Sequence, residues 1–224
     1  MAPYTDNENK VWATVCSELA TLHKRHSFKD YLVAKKKIEL PENAILQISS
    51  LNKQLHSLST FQYHPVAGLI EPIDFLQGLE QNTFYSTQYI RHESKPFHTP
   101  EPDVIHEMIG HAPSFIIPEI CRLSNIFGET AIRVKNKVQQ VINVYWFTLE
   151  FGMVYEDNEC KAFGAGLLSS VDELKRSQGM TALPFDLDKI SQTAFDPTAI
   201  QPFYFAAESF EHLIEATTVW LKNL

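Results

Sequence analysis

Apolar residues recur along most of this chain with the spacing of an α-helix. The stripe nearest the N-terminus consists of Val11, Val15, Leu19 and Leu22. Similar stripes predict a helix after Pro41 and a short helix around residues 73–79. The prolines before Asp103 predict a helix from about that residue, since proline is tolerated at or before the first turn. Further stripes predict helices over residues 119–130, 134–153 and 208–221. The pattern therefore predicts a mainly α protein.

Extended segments are few and short. Residues 60–66 and 83–91 each favour a strand, and residues 154–163, with Asp157-Asn158 at their centre, favour a hairpin. Tyr204-Phe205 favours another short strand. Prolines mark residues 96–102 as a loop, and residues 184–202 are predicted to be mostly loop. Ser170, three residues before Glu173, is a capping-box pattern that begins a short helix.

Length, charge and cysteine content narrow the class of protein. A chain of 224 residues favours one domain with a sizeable core. Its net charge of −8 is opposite to that of a typical nucleic-acid-binding protein. No apolar stretch approaches the ~20 residues of a membrane span, no signal peptide is visible, and three widely spaced cysteines form no disulfide framework. We expect a reduced, cytoplasmic protein that binds neither nucleic acid nor membrane.

The strongest chemical signal is a pair of histidines in the helix predicted from Asp103. His106 and His111 stand five residues apart, whereas the zinc-protease pattern HExxH places its histidines four apart on one helix face. On an ideal helix, the wider spacing separates the two side chains by about 140° rather than about 40°. Both can still reach one metal if the helix ends or bulges near Gly110.

A third ligand is suggested by Glu150, which lies within the apolar stretch 144–151. A carboxylate among aromatic residues is costly unless it is paired or bound to a metal. Two histidines and one carboxylate with open positions opposite are typical of non-haem Fe(II) oxygenases. The residues alone also permit ordinary histidines with a solvated glutamate, or a zinc hydrolase in which Glu107 is the general base.

Blocks of sequence around these residues resemble the pterin-dependent aromatic amino acid hydroxylases. The resemblance is clear from about His64 to Phe210, and the blocks occur in the family's order. They are residues 87–92 (TQYIRH), 99–103 (TPEPD), 106–107 (HE), 110–111 (GH), 145–152 (YWFTLEFG), 163–170 (FGAGLLSS) and 207–210 (AESF). The resemblance implies a single catalytic domain over residues 1–224. Residues 1–60 would form a helical N-terminal part, and residues 61–224 the iron, pterin and substrate core.

The resemblance also implies an activity and its cofactors. His106, His111 and Glu150 would hold Fe(II), a tetrahydropterin such as tetrahydrobiopterin would be the reducing cofactor, and dioxygen would be the co-substrate. The enzyme would be a monooxygenase whose small-molecule partner is an aromatic amino acid. It would hydroxylate the ring, with phenylalanine to tyrosine as the expected reaction. Tryptophan or another ring position is the alternative within the family, and a binding protein that kept the fold is a non-enzymatic alternative.

Further residues match family positions one at a time. The matches at the pterin site are the backbone of Gly68, Leu69 and Ile70, the stacking ring of Phe75, and the carboxylate of Glu107. Glu107 and Tyr145 form the catalytic set, with Tyr145 close to iron. The matches at the substrate site are Arg91, which binds the substrate carboxylate, Asp103, which orients that arginine, and Thr99, Trp146 and Ser169. Read without the resemblance, Phe75 would be a core residue, Arg91 a surface residue and Asp103 a helix cap.

Several positions depart from the family pattern. They are Glu93, His98, residues 112–117, and the loop that contains Asp196-Pro197. Because that loop borders the substrate in the family, these departures leave the substrate and the ring position open. The chain also lacks the N-terminal regulatory segment and the C-terminal coiled coil of animal members. It therefore resembles the short bacterial type, and we expect a monomer.

Overall fold

Helices form most of the fold, and the computed structural model describes residues 2–224. In chain order, the helices are α1 (Asp6–His26), α2 (Lys29–Lys35), α3 (Ile48–Leu55), α4 (Pro72–Glu80), α5 (Ala112–Ser114), α6 (Pro118–Arg133), α7 (Val138–Tyr145), α8 (Ala165–Ser169), α9 (Val171–Gln178), α10 (Leu187–Ser191) and α11 (Phe210–Asn223). Two segments are π-helical, a first turn at His106–His111 and a second at Trp146–Glu150, and Lys135–Lys137 form a 3₁₀ turn. The predicted fold class, mainly α with minor β, is confirmed. No helix among residues 2–224 is long and apolar enough to cross a membrane.

The strands form two small sheets. Strands β1 (Gln62–Pro65) and β2 (Thr83–Ser86) pair in parallel. The other sheet has the order β4-β3-β6-β5. Its strands are β3 (Met153–Glu156), β4 (Glu159–Ala162), β5 (Leu183–Pro184) and β6 (Phe205–Ala207). Strands β3 and β4 form the predicted hairpin, and Asp157 and Asn158 at its turn both have positive φ, as a type I′ turn requires.

Helix α1 shows how the local sequence defines an element. Thr5 caps the helix in a capping box with Glu8, and basic residues occupy the last turn, where they oppose the helix dipole. Val11, Val15 and Leu19 are buried, as their spacing predicts. The apolar stripe therefore attaches α1 to the core along one face.

Some predicted boundaries are wrong. The helix predicted after Pro41 begins only at Ile48. The preceding segment is instead bound to α1: the Trp12 indole donates to the Pro41 carbonyl, and Asn9 accepts from the Ile45 N–H. The strand predicted over residues 83–91 ends at Ser86. Long-range hydrogen bonds and loop packing decide both boundaries.

The helix predicted over residues 134–153 is shorter and less regular than expected. It comprises α7 and the second π-helical turn, and it ends at Glu150. Helices α8 and α10 were not predicted. Ser170 does cap α9 by accepting from the Glu173 N–H. The reciprocal half of the capping box is missing because the Glu173 carboxylate accepts from Gln201 and Tyr204 instead.

The first π-helical turn packs against α8. Its residues are almost all buried. Gly110 meets α8 so closely that a Cβ atom there would lie 2.6 Å from the Ala165 carbonyl oxygen. A larger residue at this position would push the turn away from α8, so the glycine serves close packing.

Candidate metal centre and substrate cleft

The side chains of His106, His111 and Glu150 converge on one point. The two Nε2 atoms are 3.0 Å apart. Glu150 places Oε1 3.1 Å from Nε2 of His111 and Oε2 3.4 Å from Nε2 of His106. In octahedral geometry, a metal about 2.1 Å from each ligand atom places neighbouring ligand atoms about 3.0 Å apart. The spacing therefore fits three ligands of one metal ion.

The π-helical turns bring the three ligands together. The Ala112 N–H donates to the Glu107 carbonyl, five residues earlier, and the Phe151 N–H donates to the Trp146 carbonyl in the second turn. A turn that bonds residue i to residue i+5 brings residues five apart towards the same face. The first turn is thus the helix bulge that lets His106 and His111 reach one metal ion.

The chemistry of the donor set also fits a metal. Ser169 donates its hydroxyl hydrogen to the Ala165 carbonyl at 2.7 Å, so its oxygen accepts from Nδ1–H of His106 at 3.1 Å. That assignment leaves Nε2 of His106 unprotonated and able to bind a metal. Burial lowers the pKa of His106 to about 4, which keeps the imidazole neutral near pH 7.

Glu150 carries the negative charge of the set. Burial would raise its pKa, but the neighbouring His111 and His106 lower the pKa to about 2. The carboxylate is therefore ionised near neutral pH, in the form that binds a metal. Two imidazoles and one carboxylate match the facial set of non-haem iron sites.

A largely apolar cleft of about 560 Å³ opens beside this centre. His106 keeps 12% of its side chain exposed, so one side of the metal site faces the cleft. The cleft is lined by all but one of the residues assigned from the resemblance, namely Gly68, Leu69, Ile70, Phe75, Arg91, Thr99, His106, Glu107, His111, Tyr145, Trp146, Glu150 and Ser169. The exception is Asp103, which is fully buried.

Asp103 lies behind Arg91 and contacts it directly. Its carboxylate accepts from the guanidinium at two 2.8 Å distances and from the Arg91 N–H at 2.7 Å. Asp103 also accepts from the His106 N–H at 3.1 Å, as a helix cap would. Burial would raise the pKa of Asp103, but Arg91 lowers it. One carboxylate therefore both orients the arginine and caps the segment that carries His106.

Glu107 is a buried carboxyl that faces the cleft. Its Oε1 accepts from the N–H of Thr87 at 3.2 Å and from the Thr87 hydroxyl at 3.1 Å. Burial raises the pKa of Glu107 well above its ordinary value. Because Oε1 already accepts two hydrogen bonds, a proton on this carboxyl resides best on Oε2.

Aromatic rings form the walls of the cleft. Phe75 is half-buried and meets Phe84 and Tyr145 edge-on, each with ring centroids 5.6 Å apart. Trp146 stacks on Phe195 with centroids 4.2 Å apart and an interplanar angle of 8°. Flat apolar faces of this kind suit a planar heterocycle or an aromatic side chain.

Sequence reasoning missed Thr87, Phe195 and Gln201. Gln201 is buried; it accepts from the Trp146 indole at 3.0 Å and donates to the carbonyls of Asp196 and Ala199. The divergence at Asp196-Pro197 pointed to this loop, but no local pattern links Gln201 to a tryptophan 55 residues earlier. The contact became visible only in the folded chain.

Comparison with known proteins gives consistent results. The family described as "Biopterin-dependent aromatic amino acid hydroxylase" matches residues 1–224. The chain is 38% identical over 224 residues to a chloroplastic phenylalanine 4-monooxygenase of Pinus taeda, covering 99% of this chain and 63% of the relative. The curated relatives at the head of the comparison are longer, and the chain spans less than two thirds of their length.

Solved structures show the same fold. Phenylalanine hydroxylase from Chromobacterium violaceum superposes with a TM-score of 0.89 and 25% identity, covering 99% of this chain and 84% of that one. The apo structure of the phenylalanine hydroxylase from Colwellia psychrerythraea 34H superposes with a TM-score of 0.91 and 23% identity, covering 100% and 88%. The likeness extends over the whole described chain.

Proposed function

Since this chain belongs to the biopterin-dependent aromatic amino acid hydroxylases, we propose that it is an iron- and tetrahydropterin-dependent monooxygenase that converts phenylalanine to tyrosine. The observation that carries the proposal is the convergence of His106, His111 and Glu150 at the base of an aromatic-lined cleft. The names of the relatives, phenylalanine 4-monooxygenase and phenylalanine hydroxylase, support phenylalanine as the substrate.

The three ligands would hold iron on the side of the cleft that faces the substrate. When bound, iron and tetrahydropterin supply the electrons and the activation of dioxygen that ring hydroxylation needs. The protein contributes position and the exclusion of water. His106 is oriented by Ser169, and Glu150 is fixed at the end of the second π-helical turn.

Arg91 would bind the carboxylate of the amino acid. The group enters an apolar cleft, where an unpaired charge is costly. Nη1 of Arg91 donates long hydrogen bonds of 3.3 and 3.4 Å to the carbonyls of Ser169 and Pro96. A substrate carboxylate would replace them with shorter, charge-assisted bonds. The substrate ring would then extend towards the metal along Trp146, and Thr99 also lines the cleft.

The pterin would lie on the other side of the cleft. Phe75 offers a ring face for stacking, and the backbone of Gly68, Leu69 and Ile70 lines the same region. Glu107, with its raised pKa, can present a protonated Oε2 to a ring nitrogen or carbonyl of the pterin. Tyr145 is buried beside Glu150 and lines the same cleft.

We place the protein in the cytoplasm. Cys16, Cys121 and Cys160 are free thiols, and free thiols persist in a reducing compartment.

Product analysis tests the proposal. Iron-loaded protein is incubated with tetrahydropterin and, separately, with phenylalanine, tyrosine and tryptophan, and the products are identified by chromatography and mass spectrometry. We expect tyrosine from phenylalanine, and neither iron binding nor product in Glu150→Ala. Hydroxylated tryptophan as the main product would favour the alternative substrate. Full iron occupancy without any hydroxylated product would overturn the proposal.

A further inference from the structure

Two buried tyrosine hydroxyls donate to backbone carbonyls of the first π-helical turn. Tyr31, on α2, places its hydroxyl 2.7 Å from the carbonyl oxygen of Ile109. Tyr63, on β1, places its hydroxyl 2.9 Å from the carbonyl oxygen of Glu107. Both rings are buried. Elements outside the turn therefore supply hydrogen-bond donors to the segment between His106 and His111.

These carbonyls depart from the regular helical pattern. In an α-helix, the Ile109 carbonyl would accept from residue 113, but Pro113 has no N–H to donate. The Glu107 carbonyl accepts from Ala112 rather than from His111. A buried carbonyl without a partner costs free energy. The Tyr31 hydroxyl offsets that cost at Ile109, and the Tyr63 hydroxyl gives the Glu107 carbonyl a second donor beside the Ala112 N–H.

Both tyrosines are held firmly by their surroundings. The His23 ring meets Tyr31 edge-on at 5.1 Å, and Nε2 of His23 lies 2.7 Å from the carbonyl oxygen of Leu168, the residue before Ser169. The side chain of Asn52 binds both the N–H and the carbonyl of Tyr63, at 2.8 and 2.9 Å. Neither hydroxyl can move far from its carbonyl without disturbing these contacts.

We propose that Tyr31 and Tyr63 are positioning residues of the metal centre, whose hydroxyls hold the first π-helical turn at the pitch that directs His106 and His111 to one metal ion. The inference rests on the proposed function insofar as that metal is iron. It assigns to α2 and β1 a part in metal binding. Without the hydroxyls, the turn can tighten towards an α-helix, which moves the two Nε2 atoms apart.

The test replaces each tyrosine by phenylalanine, which removes one oxygen and keeps the ring. The affinity for Fe²⁺ is measured anaerobically with a competing chelator, and the thermal unfolding of the metal-free protein is measured in parallel. We expect Tyr31→Phe and Tyr63→Phe to bind Fe²⁺ about ten- to a hundredfold more weakly, the range seen when a group that orients metal ligands is lost.

Tyr204→Phe is the matched control. Tyr204 is buried, and its hydroxyl donates to Glu173 rather than to the first π-helical turn. The control should lose thermal stability and keep the wild-type affinity for Fe²⁺. Wild-type affinity in both Tyr31→Phe and Tyr63→Phe, with only a loss of stability, would overturn the proposal. If Tyr31→Phe does not fold, Tyr63→Phe decides.

Failure of the positioning role can be distinguished from failure of the proposed activity. A wild-type protein that binds Fe²⁺ but hydroxylates no amino acid would overturn the activity and leave the tyrosine variants as a valid test. A wild-type protein that does not bind Fe²⁺ would overturn both the metal assignment and the positioning role.

Discussion

Asp103 occupies one edge of the Arg91 guanidinium: Nε and Nη2 each donate to it at 2.8 Å. The pair is almost completely buried. With that edge engaged, Nη1 is left with the two longer bonds to backbone carbonyls. Asp103 thus fixes the orientation of Arg91 without using all of its donors, and the remaining donors are available to a carboxylate in the cleft.

We expect Arg91→Lys to lower kcat/KM for the amino acid tens- to thousands-fold, because lysine keeps the charge but lacks the planar fork that binds Asp103 on one edge and can present further donors to a substrate carboxylate. Losing a buried charged pair costs about 2–5 kcal/mol, which sets this range. Iron content should stay at the wild-type level, and less product should form per pterin consumed.

The matched control for Arg91→Lys is Arg122→Lys, since Arg122 pairs with Glu119 on the surface. It should behave as the wild type. Wild-type kcat/KM and wild-type coupling of pterin to product in Arg91→Lys would exclude a role for Arg91 in holding the substrate.

Phe75→Ala should raise the KM for the pterin more than the KM for the amino acid. The half-buried ring lines the cleft, and its loss removes a stacking face worth about 0.5–1.5 kcal/mol beyond its buried area. Steady-state kinetics with each substrate varied in turn measure the two KM values. An unchanged KM for the pterin would make Phe75 a packing residue beside Phe84 and Tyr145.

Gln201→Leu should raise the KM for the amino acid about tenfold, because it leaves the Trp146 indole without its acceptor and frees the loop at Asp196 and Ala199. The KM for the pterin should change less. A double-mutant cycle with Trp146→Phe provides the control. If Gln201 acts through Trp146, Gln201→Leu has a smaller effect in the Trp146→Phe background; equal effects in both backgrounds would contradict this.

The contribution of His23 to the free energy of unfolding of the metal-free protein should decrease as the pH falls below about 6.5. Burial, together with the neighbouring Lys35, lowers the pKa of His23 in the folded protein to about 3. An unfolded histidine titrates near 6.5, so below that pH the unfolded state binds more protons and the free energy of unfolding decreases. From this shift, the loss attributable to His23 is about 2 kcal/mol at pH 5.

Urea unfolding of His23→Gln between pH 5 and 7.5 measures this contribution. Glutamine can still donate to the Leu168 carbonyl and accept from Lys35, the two partners of His23. The variant should lose less stability than the wild type as the pH falls. It should keep some pH dependence, because burial also lowers the pKa of His106, to about 4. An identical pH dependence in both proteins would contradict the buried, neutral state of His23.

Local sequence patterns were sufficient to predict much of the fold. The period of Val11, Val15 and Leu19 located α1, and Asp157-Asn158 located a hairpin, since both features depend on residues close together in sequence. The start of α3 was not predictable in this way. Asn9 and Trp12 hold the preceding segment through contacts about 30 residues or more apart in sequence.

Sequence patterns likewise indicated only some residues of the candidate site. The spacing of His106 and His111 showed that a shared metal needs an irregular helix, and Glu150 was marked by its apolar surroundings. The donors that support the irregular turn, Tyr31 and Tyr63, lie 78 and 44 residues from their acceptors. No periodicity connects residues so far apart, so their part in the site could be found only in the folded chain.

The two π-helical turns make the metal centre sensitive to the length of the chain as well as to its side chains. Each residue of an α-helix advances by about 100° around the axis. Inserting one residue after Met108 or after Leu149 would remove no ligand, yet it would turn His111 or Glu150 by about 100° away from the other two ligands. In a scan of single-residue insertions, these two turns should therefore tolerate an insertion as poorly as the loss of a histidine, whereas the exposed loop at residues 196–199 should accept one with its fold intact.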